Sequence, residues 1–352
     1  MSDYKIKKIN TDVDCEISIE VELKSKAIEE NKSEALKRIN ENVKVDGFRP
    51  GHIPEKVLIE KVGDYAITEE ACRICIDKNF LNIIQDSKHF PINQPSISIT
   101  KLAVGSDADI KIEFAIQPVV DLVDYKKIAK KHNSEKEKEK IEEVSDEEIE
   151  KVLTNLRMEV AHFEYHQNHH DHDHNHGELE PVELNDEFAK KVGPFENVDD
   201  LKKAIRENLS QSKNQKTIEK NRIKLVDEII EKSKIKYPEL LLQSELQIMI
   251  EELKADLNQM GQTFDEYLKV INKTEADLRE ERKEMAAKRV KTQLVLSKIA
   301  GEEKLKADES LVNTQVDQIL KTHVGADKEN VRMFVERFEL NKMVWELLEG
   351  VK

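Results

Sequence analysis

The segment Gly47-Phe48-Arg49-Pro50-Gly51-His52-Ile53-Pro54 constrains the fold of this chain more than any other stretch of similar length. Two glycines and two prolines frame one aromatic residue and one arginine. Proline fixes φ and glycine admits φ above zero, so the run can neither continue a helix nor serve as a loose tether. A helical pattern precedes it from about Ser25, with Ile28, Ala35, Leu36, Ile39 and Val43 on one stripe. A short helix is expected over 54–62, starting at Pro54, where the missing N–H does no harm. The segment is therefore a shaped turn between helices, with Phe48 and Arg49 at its tip. An aromatic beside a guanidinium is typical of binding hot spots, and arginine also pairs with phosphate. On the residues alone two readings stay open: a docking finger, or an ordinary helix connection whose Phe packs inward. Lys37, Arg38, Lys44, Lys56 and Lys61 surround the loop, but Glu34, Glu41, Asp46, Glu55 and Glu60 largely offset them.

The flanking sequence predicts a small α+β domain over residues 1–118. Cys15, Ile17, Ile19, Val21 and Leu23 alternate with Glu16, Ser18, Glu20 and Glu22, the pattern of a half-buried strand over 14–23. A longer helix is expected over about 65–85. Ile97 and Ile99, then Ala108, Ile110, Ile112, Phe114 and Ile116, mark two further strands joined through a turn at Gly105-Ser106-Asp107.

Beyond this domain the chain changes character. Lys and Glu crowd 124–151, and Ser145-Asp146-Glu147-Glu148 is a capping box opening a helix with Ile149, Val152, Leu153 and Leu156 on one face. Residues 119–160 are expected to be a helical arm, 161–180 a His-rich linker and 181–352 a mostly α-helical domain. A helix should run from about Val198 to about Ile235, another from Pro238, and further ones over about 275–300, 308–322 and 328–348. Net charge is -15, with 37% charged and only 5% aromatic residues, which suits long solvated helices and argues against bulk nucleic-acid binding. No apolar run is long enough to span a membrane and no secretory leader opens the sequence, so a cytoplasmic location is expected.

Candidate chemistry is sparse. Seven of the 11 histidines, His162, His166, His169, His170, His172, His174 and His176, fall in one short segment with Asp171 and Asp173 between them. Imidazole suits Zn²⁺, Ni²⁺ or Cu²⁺, so His166, His169, His170, His172, His174 and His176 are candidate ligands; the alternative is a solvated linker of biased composition. Cys72-Arg73-Ile74-Cys75 has CxxC spacing but lies mid-helix without a second pair, so packed core cysteines are expected. No nucleophile–base set or phosphate-cradling glycine loop is present. Leu, Ile and Met stripes over 238–300 are core or an open surface for unfolded chains, and Met249, Met260 and Met285 would suit adaptable binding.

Val43-Lys44-Val45-Asp46-Gly47-Phe48-Arg49-Pro50-Gly51-His52-Ile53-Pro54 resembles the signature loop of trigger factor, the bacterial ribosome-associated chaperone family. Asp46 stands where proline is common and His52 where lysine is common, and both lower the loop's positive charge. The stretch Val144–Ile149 resembles the family's arm helix, Pro181–Lys190 its return into the helical domain, and Phe338–Leu348 its closing helix. The resemblance implies a chaperone that needs no ATP and docks at the nascent-chain exit of the large ribosomal subunit. Gly47, Phe48, Arg49, Pro50 and Gly51 would form the contact, and newly made polypeptides would be the clients for folding and export. Self-association into a homodimer off the ribosome, and no membrane or DNA partner, belong to the same expectation.

Family members usually carry an FKBP-like peptidyl-prolyl isomerase domain between the arm and the return segment. Here no glycine occurs between Gly105 and Gly177, and the only tryptophan is Trp345. Strands of about five residues each cannot be built into a sheet domain from what remains. The expectation is a family member without that domain, not an enzyme and without a cofactor; residual isomerase activity and a metal-binding role for the His segment are the alternatives.

Overall fold

The computed structural model describes residues 3–11, 13–46, 48–136, 143–168, 180–323 and 325–351. Two compact units emerge from the contacts, and each draws on distant parts of the chain. One comprises Met1–Val123 with Ile230–Glu302, the other Asp124–Ile229 with Glu303–Lys352.

The first unit holds a four-stranded antiparallel sheet in the order β1-β2-β4-β3: β1 Tyr4–Asn10, β2 Glu16–Leu23, β3 Ser96–Lys101 and β4 Ala108–Ala115. The expected alternation of β2 is present: Ile17, Ile19, Val21 and Leu23 are buried. They pair in register with Phe114, Ile112, Ile110 and Ala108 of β4, making one apolar face. The long helix α4 (Asp64–Ser87) covers that face with Ala71, Cys72, Ile74, Cys75 and Ile83. Fully burying each large aliphatic side chain contributes about 1.5–3 kcal/mol, so this sandwich is the domain's main source of stability.

The helical pattern after Ser25 is two helices, α1 (Ser25–Glu30) and α2 (Lys32–Asn42). Asn31 divides them. Its amide donates to Ala27 O at 2.8 Å, competing with the helix ladder, and its Oδ1 accepts from Lys78 Nζ at 2.6 Å. α3 (Glu55–Val62) follows the Gly/Pro loop. Two short strands, β5 (Val119–Asp121) and β6 (Lys234–Lys236), pair antiparallel in this unit. The same unit holds α9 (Glu239–Gln259), α10 (Phe264–Ile271) and α11 (Glu275–Glu302). Leu242, Leu246 and Met249 pack on Ala286 between α9 and α11.

The second unit contains α5 (Tyr125–Lys136), α6 (Asp146–Asn168), α7 (Asp186–Val192), most of α8 (Val198–Lys232), α12 (Glu309–Thr322) and α13 (Lys328–Gly350). The capping box opens α6 as expected: Ser145 N donates to Glu148 Oε2 at 2.9 Å and Glu148 N to Ser145 Oγ at 3.3 Å. α8 stops at Lys232 and not near Ile235, because Lys234–Lys236 is drawn into the pairing with β5. The described parts thus form an α+β region with a small antiparallel sheet, followed by long helices.

Candidate functional site: an exposed loop tied at its base

The Gly/Pro loop is built from its ends inward. α2 ends at Asn42, and Val43 N still donates to Ile39 O at 2.9 Å. The chain then reverses. Phe48 N donates to Val45 O at 3.1 Å, closing a tight turn, and His52 N donates to Arg49 O at 3.0 Å, closing a second. Gly51 takes φ +85 with open space on its Cβ side, a conformation that other residues enter only at a cost.

Asn40, near the end of α2, fixes the returning side of the loop. Its Nδ2 donates to Ile53 O at 2.8 Å while its Oδ1 accepts from Ile53 N at 3.1 Å. Its own carbonyl accepts from Gly51 N at 2.9 Å. Ile53 is buried, with 3% exposure, and Leu58 of α3 is buried as well. The base is therefore anchored by packing and hydrogen bonds, and the tip projects. Phe48 keeps 40% exposure and Arg49, Pro50 and Gly51 are exposed, which decides against the inward-packed Phe. Gly47 lies outside the described residues. Among the described residues, Arg49, Lys44 and Lys56 make no ion pair. Nothing in the sequence singles out Asn40: a polar side chain near the end of an amphipathic helix is common.

The remaining candidates sort by placement. Cys72 and Cys75 are wholly buried in the core of the first unit. Burial pushes their thiols up to about 12 and about 11, away from nucleophilic or redox chemistry. His166 lies in the last turn of α6, and His169, His170, His172, His174 and His176 fall outside the described residues. Among the described residues no group of three or more His, Cys, Asp or Glu could hold a metal. Met249 is core, at 2% exposure, whereas Met260 and Met285 are exposed.

In the second unit the two landmark stretches around residues 144–149 and 181–190 share one core. Ile149 and Leu153 of α6 pack with Phe188 and Ala189 of α7 and with Leu201 and Ile205 of α8. Arg157 Nε donates to Val182 O, and Val182 N donates back to Arg157 O at 3.5 Å. Beside this core is an apolar groove of about 430 Å³, walled by Val152, Leu156, Val192, Phe195 and Leu209. α13 adds exposed Met333, Phe334 and Phe338.

The chain thus combines a small α+β domain presenting a tied loop with long helices that leave apolar side chains in solvent. Residues 4–156 match the family described as bacterial trigger factor protein, and residues 197–350 match the one described as the trigger factor C-terminus. The chain belongs to the trigger factor family. A trigger factor of Caldicellulosiruptor saccharolyticus is 22% identical over 435 aligned residues, covering 99% of this chain and 97% of that protein. One of Streptomyces avermitilis is 24% identical, covering 95% and 86%, and one of Clostridium tetani is 24% identical, covering 91% and 90%. A solved structure described as "Promiscuous Substrate Recognition in Folding and Assembly Activities of the Trigger Factor Chaperone" has a similar fold. Its TM-score is 0.50 at 18% identity, and the match covers 99% of this chain and 100% of that one. No helix among the described residues is long and apolar enough to cross a membrane.

Proposed function

We propose that this chain is an ATP-independent chaperone of the cytoplasm that docks beside the nascent-chain exit of the large ribosomal subunit and holds unfinished polypeptides. The observation that carries the docking part is the loop. Phe48 and Arg49 stand exposed on a base locked by Asn40 and buried Ile53, and Arg49 is left without an ion pair among the described residues. A guanidinium free of carboxylates suits rRNA phosphate, and an exposed ring beside it suits a shallow pocket. Apolar side chains left in solvent would hold clients: Met260, Val270 and Met285 in the first unit, and Met333, Phe334 and Phe338 in the second. Many weak apolar contacts on adaptable side chains favour broad client choice.

The chain acts without peptidyl-prolyl isomerase activity in this reading. Three facts support that. The family matches stop at residue 156 and resume at residue 197. α6 continues as helix to Asn168, well into that interval. The alignment with the Caldicellulosiruptor saccharolyticus relative is 435 long against a chain of 352 residues, so the relative has residues for which this chain has none.

Co-sedimentation with ribosomes tests the docking reading. The unaltered chain should pellet with ribosomes and Phe48→Ala/Arg49→Ala should stay in the supernatant with an unchanged melting temperature; equal pelleting of both refutes it. A flat X-Pro peptide assay is expected, and acceleration of cis/trans exchange would overturn the non-enzymatic part.

A further inference from the structure

The four-stranded sheet ends on β3, and among the described residues no strand pairs with its far edge. The two edges of this sheet differ in chemistry. β1 carries Lys5, Lys7 and Lys8, the kind of side chain that keeps an edge from recruiting another strand. β3 reads Ser96-Ile97-Ser98-Ile99-Thr100-Lys101, with its one lysine at the end, past an irregularity in the pairing. The β3 edge is therefore unguarded over its first five residues.

A groove of about 510 Å³ runs beside it. Ile97, Ser98, Ile99 and Thr100 all line this groove. Successive side chains of a strand point to opposite faces, so a groove touching four in a row follows the strand's edge and not one face of the sheet. The opposite wall is α4, with Tyr65 and Ile76 as its apolar part and Glu69, Glu70 and Asp77 at the rim. Two guanidinium groups also reach the groove, and both are engaged. Arg73 lies 2.8 Å from Glu69, and Arg38 lies 3.6 Å from Glu70 and 3.7 Å from Asp77. Three carboxylates against two engaged cations leave the rim with surplus negative charge.

We propose that this groove binds an extended peptide segment as an added strand on β3. Main-chain hydrogen bonds to the free edge would give the affinity. Apolar side chains at alternate positions would pack toward Ile97, Ile99 and Ile76, and a flanking lysine or arginine would meet the rim carboxylates. The occupant is thus a β-prone, basic stretch of unfolded protein. Its identity as a client rests on the chaperone function proposed above, whereas the strand addition rests on the geometry of β3 and α4 alone. It would be a second contact with the client, on the same domain as the Phe48–Arg49 loop and distinct from the exposed side chains of the helices.

The test uses the full chain and a fluorescent eight-residue peptide of alternating valine and threonine with lysine at both ends, followed by anisotropy. Two further peptides are N-methylated on one or the other alternate set of amides. Methylating the set that faces β3 should weaken binding about tenfold or more, since several hydrogen bonds are lost, while methylating the other set should change little. Replacing the terminal lysines by glutamate should weaken binding several-fold, and Ile97→Lys should abolish it. Equal affinity of the two methylated peptides overturns strand addition, as does unchanged binding by a folded Ile97→Lys chain. If Ile97→Lys lowers the melting temperature, the methylated pair on the unaltered chain decides. Suppression of aggregation of a denatured protein, measured alongside, separates the two readings: holding without register-dependent peptide binding removes only the β3 site, and peptide binding without holding removes the chaperone reading.

Discussion

Asn40 and Ile53 are joined through both halves of one side-chain amide, with Nδ2 to Ile53 O at 2.8 Å and Ile53 N to Oδ1 at 3.1 Å. This pairing mimics a step of β ladder between a helix and a loop, and it ties the far end of the Phe48–Arg49 turn to α2. Asn40→Ala should cost about 1–3 kcal/mol of stability, because Ile53 loses both main-chain partners in a part-buried place. Amide exchange at Ile53 should quicken, and ribosome co-sedimentation should weaken although neither Phe48 nor Arg49 is touched. Asn40→Asp keeps the acceptor and loses the donor, so it should fall between the two.

Gly51 presents a different kind of constraint. At φ +85, with open space where a methyl group would sit, Gly51→Ala is penalised by backbone strain alone, about 1–2 kcal/mol. Thermal unfolding should register the loss, and a structure of the variant should show the turn at Arg49–His52 displaced with the side chains of α2 in place.

Met249 and Met260 separate core from surface on a single helix and its end. Met249→Ala should destabilise by about 2–5 kcal/mol, since it empties the packing against Leu242, Leu246 and Ala286. Met260→Ala and Met285→Ala should leave denaturant midpoints nearly unchanged while reducing the suppression of client aggregation.

Several helices start on acidic caps that respond to pH. The Thr263 hydroxyl holds the Glu266 carboxyl below its ordinary range, Thr274 does the same for Asp277, and Ser310 for Asp308. A carboxyl lowered in the folded state stabilises it fully above the ordinary carboxyl value near 4, and that contribution is lost as pH falls through the lower, folded value. Helix starts at α10, α11 and α12 should therefore fray on acidification below about pH 4. Residue-resolved amide exchange between pH 6 and pH 3 would check this: protection that stays constant at these starts would contradict it.

Cys72 and Cys75, with thiols pushed up to about 12 and about 11 by burial, should not react with Ellman's reagent at neutral pH until the chain is unfolded. Prompt reaction in the native protein would show that α4 opens locally.

Much of the fold is legible in the sequence because its signals are local. The alternation along β2, the Ser145–Glu148 box and the Gly/Pro loop each depend on neighbours a few residues apart, and each appears where the pattern puts it. β1 escapes such a reading because Lys7 and Lys8 sit side by side, and the register shift between Ile6 and Lys8 breaks the alternation that would reveal it. β5 and β6 escape it for another reason: each is three residues long and exists only through a partner more than a hundred positions away. The break at Asn31 follows from its bonds to Ala27 and Lys78, the second of which is tertiary. For the site, residue types locate the tip of the loop. The lock at its base, a helix asparagine reaching thirteen residues ahead, has no sequence pattern of its own.

The paired bonds between Arg157 and Val182 fasten together two stretches of chain 25 residues apart. They join α6 to the return segment beside the core shared by α6, α7 and α8. Two bonds running in opposite directions between the same pair of residues act as a clasp on that core. The buried residues of that core, Ile149, Leu153, Phe188, Ala189, Leu201 and Ile205, all lie outside the stretch so enclosed, and a change of sequence within it need not repack them.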